Sequence, residues 1–321
     1  MMLATRLAGL SFLVIGDVML DRYFWGEVER ISPEAPVPVF NLRQVTQSLG
    51  GAANVAHNLR GLGVKVELAG VVGPDPEGED FRRLAEEKGI GLCALITDEA
   101  RPTTVKTRII AHSQQLLRID VEEKAPLSQK TENELKKRLE DLWPHVKGVI
   151  ISDYAKGVFN GGELVQYVID QARRRRLPVM VDPKGLDWSR YRGATCVTPN
   201  LRELQEVAKA EGLYQAEIPE ICQVLCQRYN FDFLLVTMGP EGMYLHHPEV
   251  RGHFAARALE VYDVSGAGDT VVATLAAFYA AGFPVEQVVE IANRAAGIVV
   301  GKVGTQPVLL KELEEALGAS K

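Results

Sequence analysis

The run Asp263-Val264-Ser265-Gly266-Ala267-Gly268-Asp269-Thr270 carries the clearest chemistry in the chain. Two glycines flank one small residue, an Asp follows, and an apolar helix is expected at once over 270–281. Glycine lets backbone amides turn toward an anion without side-chain clash. A helix N-terminus adds partial positive charge at the same place. An Asp there stands beside bound phosphate, where it can take a proton from an attacking hydroxyl. That combination suits phosphoryl transfer to an alcohol. The plainer alternative is a glycine-rich turn with Asp269 as a helix N-cap.

Other clusters could supply the partners. Gly50-Gly51-Ala52-Ala53-Asn54 precedes a helix. Gly50 and Gly51 would give close backbone approach to a polyol, and Asn54 would bind its hydroxyls; a simple turn into a helix is the alternative. Asp17, after Val14-Ile15-Gly16, is a second acceptor for sugar hydroxyls or a cap for the next turn. Thr198-Pro199-Asn200-Leu201-Arg202-Glu203 reads as a capping box, with Asn200 as N-cap and Glu203 as its partner. The same two residues could stand near nucleotide phosphates and Mg²⁺, which is held by few carboxylates and keeps its waters. Thr237-Met238-Gly239 is a further strand-to-turn corner. The helix from Asn293 toward Gly304 could wall an adenine site.

These residues need a scaffold. Short apolar runs at 12–15, 66–71, 149–152, 179–182, 196–198 and 233–237 read as strands. Helical patterns occupy 52–62, 81–88, 131–142, 162–175, 201–209, 218–229, 270–281 and 285–300. Such alternation predicts an α/β, doubly wound and mainly parallel sheet with helices on both faces. Ligands then bind beyond the carboxyl ends of the strands, where Asp17, Asp153, Asp182, Asn200 and Thr237 fall. Segments 21–45 and 101–121 lack helical period. Together they predict a small β-sheet lid, with the turn of the second segment at His112-Ser113. No linker or repeat divides residues 1–321, so a single domain is expected.

Composition narrows the classes. A net charge of −6 argues against a nucleic-acid surface. The basic run Arg173–Arg176 sits at a predicted helix C-terminus, where cations are favourable. No apolar run reaches membrane-spanning length, and the N-terminus lacks a signal-peptide plan, so a cytoplasmic protein is expected. The four cysteines, Cys93, Cys196, Cys222 and Cys226, read as reduced and mostly buried thiols. The six histidines lack zinc-type spacing, and His246-His247 is expected in a hairpin loop. No Gly-x-Gly-x-x-Gly follows the first strand, which disfavours a dehydrogenase.

Taken together, the Gly50-Gly51-Ala52-Ala53-Asn54 and Asp263-to-Thr270 patterns resemble those of the ribokinase-like (PfkB) carbohydrate kinases. Within that family the chain is most similar to the D-glycero-β-D-manno-heptose 7-phosphate kinases of ADP-heptose and lipopolysaccharide-core synthesis. The residues that carry this likeness include Gly16-Asp17, Asp21-Arg22-Tyr23, Gln114-Gln115-Leu116-Leu117-Arg118, Ser152-Asp153-Tyr154-Ala155-Lys156-Gly157 and Asp182-Pro183-Lys184. The family usually has Arg-Asn where this chain has His112-Ser113.

The resemblance implies ATP, Mg²⁺ and a sugar phosphate as ligands, with Asp269 as base and the Gly266, Ala267 and Gly268 amides on the moving phosphoryl group. It places Asn200, Glu203, Thr237, Gly239, Asn293 and Lys184 toward the nucleotide, with Glu203 reaching Mg²⁺ through water. Asp17, Gly50, Gly51 and Asn54 would bind sugar. Lys106, Arg108, Gln114 and Arg118 would act from the lid, the cations holding a terminal phosphate unless they merely face solvent. Carbonyls around Asp263 and the 300–304 turn would hold K⁺. The lid would form a homodimer. Many relatives add an adenylyltransferase domain, so this chain is expected to be the stand-alone kinase. Another sugar, sugar phosphate or nucleoside remains an alternative substrate, and an inactive sugar or nucleotide sensor an alternative class.

Overall fold

Phe12 to Ile15 is a run of apolar residues with no polar side to show to water. It folds as a strand with Phe12 and Val14 in one hydrophobic core and Leu13 and Ile15 in another. Burial on both faces is what a parallel sheet between two helix layers requires. The computed structural model describes residues 2–257, 262–302 and 304–318.

In chain order the strands are β1 (Ser11–Gly16), β2 (Val18–Ile31), β3 (Pro38–Gly51), β4 (Lys65–Val72), β5 (Gly91–Thr97), β6 (Val105–Ala111), β7 (Gln114–Val121), β8 (Gly148–Ser152), β9 (Val179–Asp182), β10 (Cys196–Val197), β11 (Phe233–Thr237), β12 (Met243–His246) and β13 (Arg251–Phe254). The helices are α1 (Met2–Leu7), α2 (Ala52–Gly61), α3 (Pro76–Glu87), α4 (Gln129–Glu140), α5 (Glu163–Arg174), α6 (Leu201–Ala210), α7 (Ile218–Tyr229), α8 (Ala267–Ala280), α9 (Val285–Val299) and α10 (Leu310–Gly318).

The large sheet runs β13-β12-β11-β10-β9-β8-β1-β4-β5, parallel from β11 to β5 and closed at one edge by the antiparallel pair β12 and β13. Helix α8 is apolar nearly all round, with Val271 to Phe278 buried, because it lies between the sheet and its neighbours α2 and α9.

A second sheet has the order β3-β2-β6-β7. Strand β2 leaves the carboxyl end of β1 after Asp17, and β3 runs straight into α2. The Arg22–Glu77 ion pair (3.2 Å) and the Gln47 amide on Asp80 (3.0 Å) tie this sheet to α3. Its first hairpin reaches past both ends of the expected 21–45 segment. His112 and Ser113 take positive φ at the β6–β7 turn.

Several sequence expectations need correction. Strands β5, β12 and β13 were not anticipated. His246 is not in a loop: it is buried in β12 opposite Arg251, and only His247 enters the turn. Helix α3 begins at Pro76 rather than 81, because Asp75 caps it by accepting the Gly78 amide (2.8 Å) and Pro76 suits the first helical position. All four cysteines are free, but Cys93 is exposed.

Candidate active site

The carboxyl ends of β1, β8, β9 and β10 meet the N-terminus of α8. Gly266 adopts the left-handed conformation (φ 78°) and caps that helix. A Cβ at Gly266 would lie 2.7 Å from Asn54 Nδ2, so only glycine lets α2 and α8 come this close. A Cβ at Gly268 would meet nothing within 4 Å, so the amide end of α8 faces open space. The first amides of a helix have no partner within it.

Asp269, in the first turn of α8, is buried. One carboxylate oxygen accepts from Asn54 Nδ2 (2.7 Å) and the other from the Tyr154 hydroxyl (2.7 Å). Burial pushes its pKa up to about 6, against the pull of these two hydrogen bonds. Asp21 pushes it further up and Lys106 pulls it down. A carboxylate so poised is a competent base near neutral pH. Asn54 Oδ1 is buried with no partner, leaving an acceptor free beside the carboxylate.

A cavity of about 460 Å³ opens on the far side of the α8 terminus. Asn200, Thr237, Gly239, Gly268 and Asn293 all line it, together with apolar Met243, Val271 and Val300. Residues from four separate sequence clusters therefore share one wall. Asn200 and Glu203 form the expected capping box (2.9 and 3.1 Å). Glu203 also accepts from Lys184 Nζ (2.7 Å). Burial opposes the Lys184 charge, but Glu203 outweighs it and the pKa is raised. Asn293 donates to the Ala255 carbonyl (2.7 Å).

Nearby, the Asp182 carboxyl is pushed well up, first by burial and then by the charges of Asp269 and Glu203. Among the described residues no three carboxylates, histidines or cysteines come together as a metal site, so any divalent cation here would need most of its ligands from phosphate and water.

On the sugar side the expected residues have partners within the protein. Asp17 is buried: Oδ2 accepts from the Tyr154 and Lys156 amides (2.8 and 3.0 Å), and Oδ1 from the Val158 amide (3.1 Å). Gly51 (φ 57°) would place a Cβ 2.3 Å from the Asp17 carbonyl, and Gly50 would place one 2.4 Å from Asp21 Oδ2. Gly51 thus permits close packing of β3 on the turn after β1, and Gly50 on the Met19 and Asp21 side chains of β2.

Arg108 is paired with Asp21 (2.5 Å) and lies over the Tyr23 ring (5.3 Å). Lys106 is half-buried, with its ammonium 5.9 Å from the centre of the Tyr154 ring. Burial lowers its pKa, Asp21 opposing that and Lys156 adding to it. Arg118 is exposed on β7 and makes two bonds to Asp120 (2.8 and 3.0 Å), while Gln114 is exposed at the start of that strand. Lys106 and Arg108 thus reach the acidic centre, and Arg118 and Gln114 do not. Asp263 braces the loop before α8 by accepting from the Ser265 and Gly304 amides (2.8 and 3.1 Å). The Val300 carbonyl accepts from the Tyr262 and Asp263 amides (2.8 and 3.1 Å). Val303, part of the expected K⁺ turn, lies outside the described residues.

The residue that sequence reasoning missed is Tyr154. Its signal was its place directly after the β8 strand end, beside Asp153, in a run of residues quoted only for its family likeness.

An α/β sheet with a buried Asp at a glycine-capped helix N-terminus, set between an open cavity and a cationic strand, defines a phosphotransferase of the carbohydrate-kinase type. The family model for pfkB carbohydrate kinases matches residues 10–312, and the chain belongs to that family. A D-beta-D-heptose 7-phosphate kinase of Bordetella bronchiseptica is 47% identical over 97% of each chain. The bifunctional protein HldE of Methylobacillus flagellatus is also 47% identical, over 95% of this chain but 62% of its own length. The chain thus spans about three fifths of that bifunctional relative. Among solved structures, Arabidopsis thaliana ribokinase complexed with ribose and ATP superposes with a TM-score of 0.72 at 20% identity, covering 96% of this chain and 98% of its own.

Proposed function

We propose that the protein transfers the γ-phosphoryl group of ATP to the anomeric hydroxyl of D-glycero-β-D-manno-heptose 7-phosphate, giving the 1,7-bisphosphate for ADP-heptose and lipopolysaccharide-core synthesis. The observation that carries it is Asp269, a buried base at the α8 N-terminus whose neighbour Gly268 lines the 460 Å³ cavity. The choice of sugar is supported by the 47% identity to the Bordetella enzyme.

ATP lies in the cavity, with its adenine against Met243, Val271 and Val300 and its phosphates at the α8 amides. Asp269 takes the proton of the anomeric hydroxyl as that oxygen bonds to the γ-phosphorus. The bond from the γ-phosphorus to the bridging oxygen breaks, and ADP leaves with the electron pair. The Ala267 and Gly268 amides offset the charge that develops on the moving group. Glu203, through water, and Asp182 would hold Mg²⁺, which would neutralise phosphate charge; Lys184, now on Glu203, is within reach to give its ammonium to a phosphate oxygen instead. The sugar's own phosphate falls to Lys106, with Arg108 held ready by Asp21.

Asp263 and the 300–304 turn are the place for K⁺, though the Val300 carbonyl already serves two amides. Dependence on ATP makes the cytoplasm the site of action; among the described residues no helix is long and apolar enough to cross a membrane. The second sheet acts as a lid and as the contact of a homodimer. Its edge strand β7 exposes Leu116, Leu117, Ile119 and Val121, an apolar edge that invites pairing.

Steady-state kinetics on heptose 7-phosphate and unphosphorylated heptose, ribose and fructose test the reading. Heptose 7-phosphate should give the highest kcat/KM. Lys106→Ala should cut it about tenfold or more while sparing the KM for ATP, since a charged hydrogen bond is worth roughly 1.5–3 kcal/mol. A higher kcat/KM for an unphosphorylated sugar would refute the substrate.

A further inference from the structure

The proton transfer above leaves Tyr154 without a task, yet its hydroxyl donates to Asp269 Oδ1 at 2.7 Å. Its placement is not left to a free loop. Asp17 gathers the Tyr154, Lys156 and Val158 amides on one buried carboxylate, and Asp153 Oδ1 accepts the Ala155 amide (2.8 Å). Ala155 takes a positive φ (54°), which holds the loop in a tight turn. Tyr154 from this loop and Asn54 from α2 therefore seize the two oxygens of Asp269 from different directions.

We propose that Tyr154 is a positioning residue for the phosphoryl transfer: aimed by the Asp17 clamp, its phenol fixes the rotation of the Asp269 carboxylate and leaves a lone pair facing the acceptor hydroxyl. This rests on Asp269 being the base. A carboxylate held at one oxygen still swings about its Cβ–Cγ bond; held at both, it presents one geometry to the sugar.

The charged groups around Asp269 agree with that arrangement. Asp21 from β2 and Asp182 from β9 oppose its charge, and the Lys106 ammonium of β6 favours it. The Tyr154 hydroxyl is itself held well above its ordinary pKa, by burial and by the charges of Asp269, Asp182 and Asp21. It therefore stays protonated and donates at every working pH. It cannot be the base.

Tyr154→Phe removes only the hydroxyl and tests the idea through two readouts in the full-length protein. The first is the Asp269 carboxyl titration followed by ¹³C NMR with no substrate present. It should move upward by about one to two pH units, the worth of a charged hydrogen bond. The second is the pH profile of kcat. Its acid limb should shift by the same amount, which lowers turnover about three- to twenty-five-fold at pH 6.5, and a smaller loss should persist near pH 9, where Asp269 is ionised in both proteins and only its alignment differs. The KM for ATP should not change. A thermal melt establishes that the variant is folded.

An unmoved titration, or a kcat equal to that of the unsubstituted protein at pH 9, would overturn the positioning role. A titration that moves while the pH profile stays put would instead show that Asp269 is not the base, and the proposal would fall with that assignment.

Discussion

A carboxylate shut away from water at the start of α8 is unstable as a charge, and the sign of its effect on the fold can be worked out. The Asp269 pKa is raised from 3.8 to about 6 in the folded protein. Stability tied to this group is therefore fully present below about pH 4 and is lost as pH rises through 6. About two pH units correspond to about 3 kcal/mol withheld from the fold at neutral pH. Asp269→Asn removes that charge but spoils one of its two accepted hydrogen bonds, worth about 1 kcal/mol. We expect a net gain of about 2 kcal/mol in unfolding experiments at pH 8 that fades toward pH 4. In the same variant kcat should fall about 10²–10⁴-fold while ATP binding survives. A variant that is inactive yet equally stable at both pH values would contradict the buried charge. Asp269 and the glycine loop proposed to act with it stand together in the sequence because they are neighbours in the chain. The Asp17 clamp and Tyr154 were not legible there, since their partners lie 115 to 141 residues away.

At the scale of elements, the turn from β3 into α2 fixes where Asn54 points. Gly51 has a positive φ and backs onto the Asp17 carbonyl, which also accepts the Ala52 amide (3.0 Å). Gly51→Ala adds a Cβ where backbone already stands. We expect it to lower stability by about 1–3 kcal/mol in urea unfolding and to lower kcat through a displaced Asn54. Full activity with an unchanged midpoint would show that this junction has slack. The central strands and most helices were readable from apolar runs and helical period, since a strand buried on both faces needs continuous hydrophobics. Strand β13 escaped because Arg251, Gly252 and His253 carry no apolar run; only its pairing with β12 makes it a strand. The start of α3 was readable in principle, in the Asp75-Pro76 pair.

At the scale of the whole molecule, two sheets share the turn at Asp17, and the smaller is tied to the rest of the protein by Val18 and Leu49 in the core and by the Arg22–Glu77, Gln47–Asp80 and Ser48–Thr305 (3.0 Å) side-chain contacts. Adding sugar phosphate should slow hydrogen exchange in residues 21–45 and 101–121 more than in β8 or β9. Sedimentation velocity should show a dimer that Leu117→Lys on the β7 edge dissociates. Exchange unaffected by ligand would remove the lid, and a monomer in the unsubstituted protein would remove the dimer.

The bond between Asn54 and Asp269 joins residues 215 apart in sequence. Strand β1 likewise lies between β4 and the much later β8. A chain made from its N-terminus therefore emerges with half of its catalytic centre long before the other half exists. The sheet can assemble as each strand leaves the ribosome, but the Asn54 amide waits for α8 to be synthesised. Contacts of such long sequence separation form slowly. In biosynthetic time, the capacity to transfer a phosphoryl group is among the last properties this chain acquires.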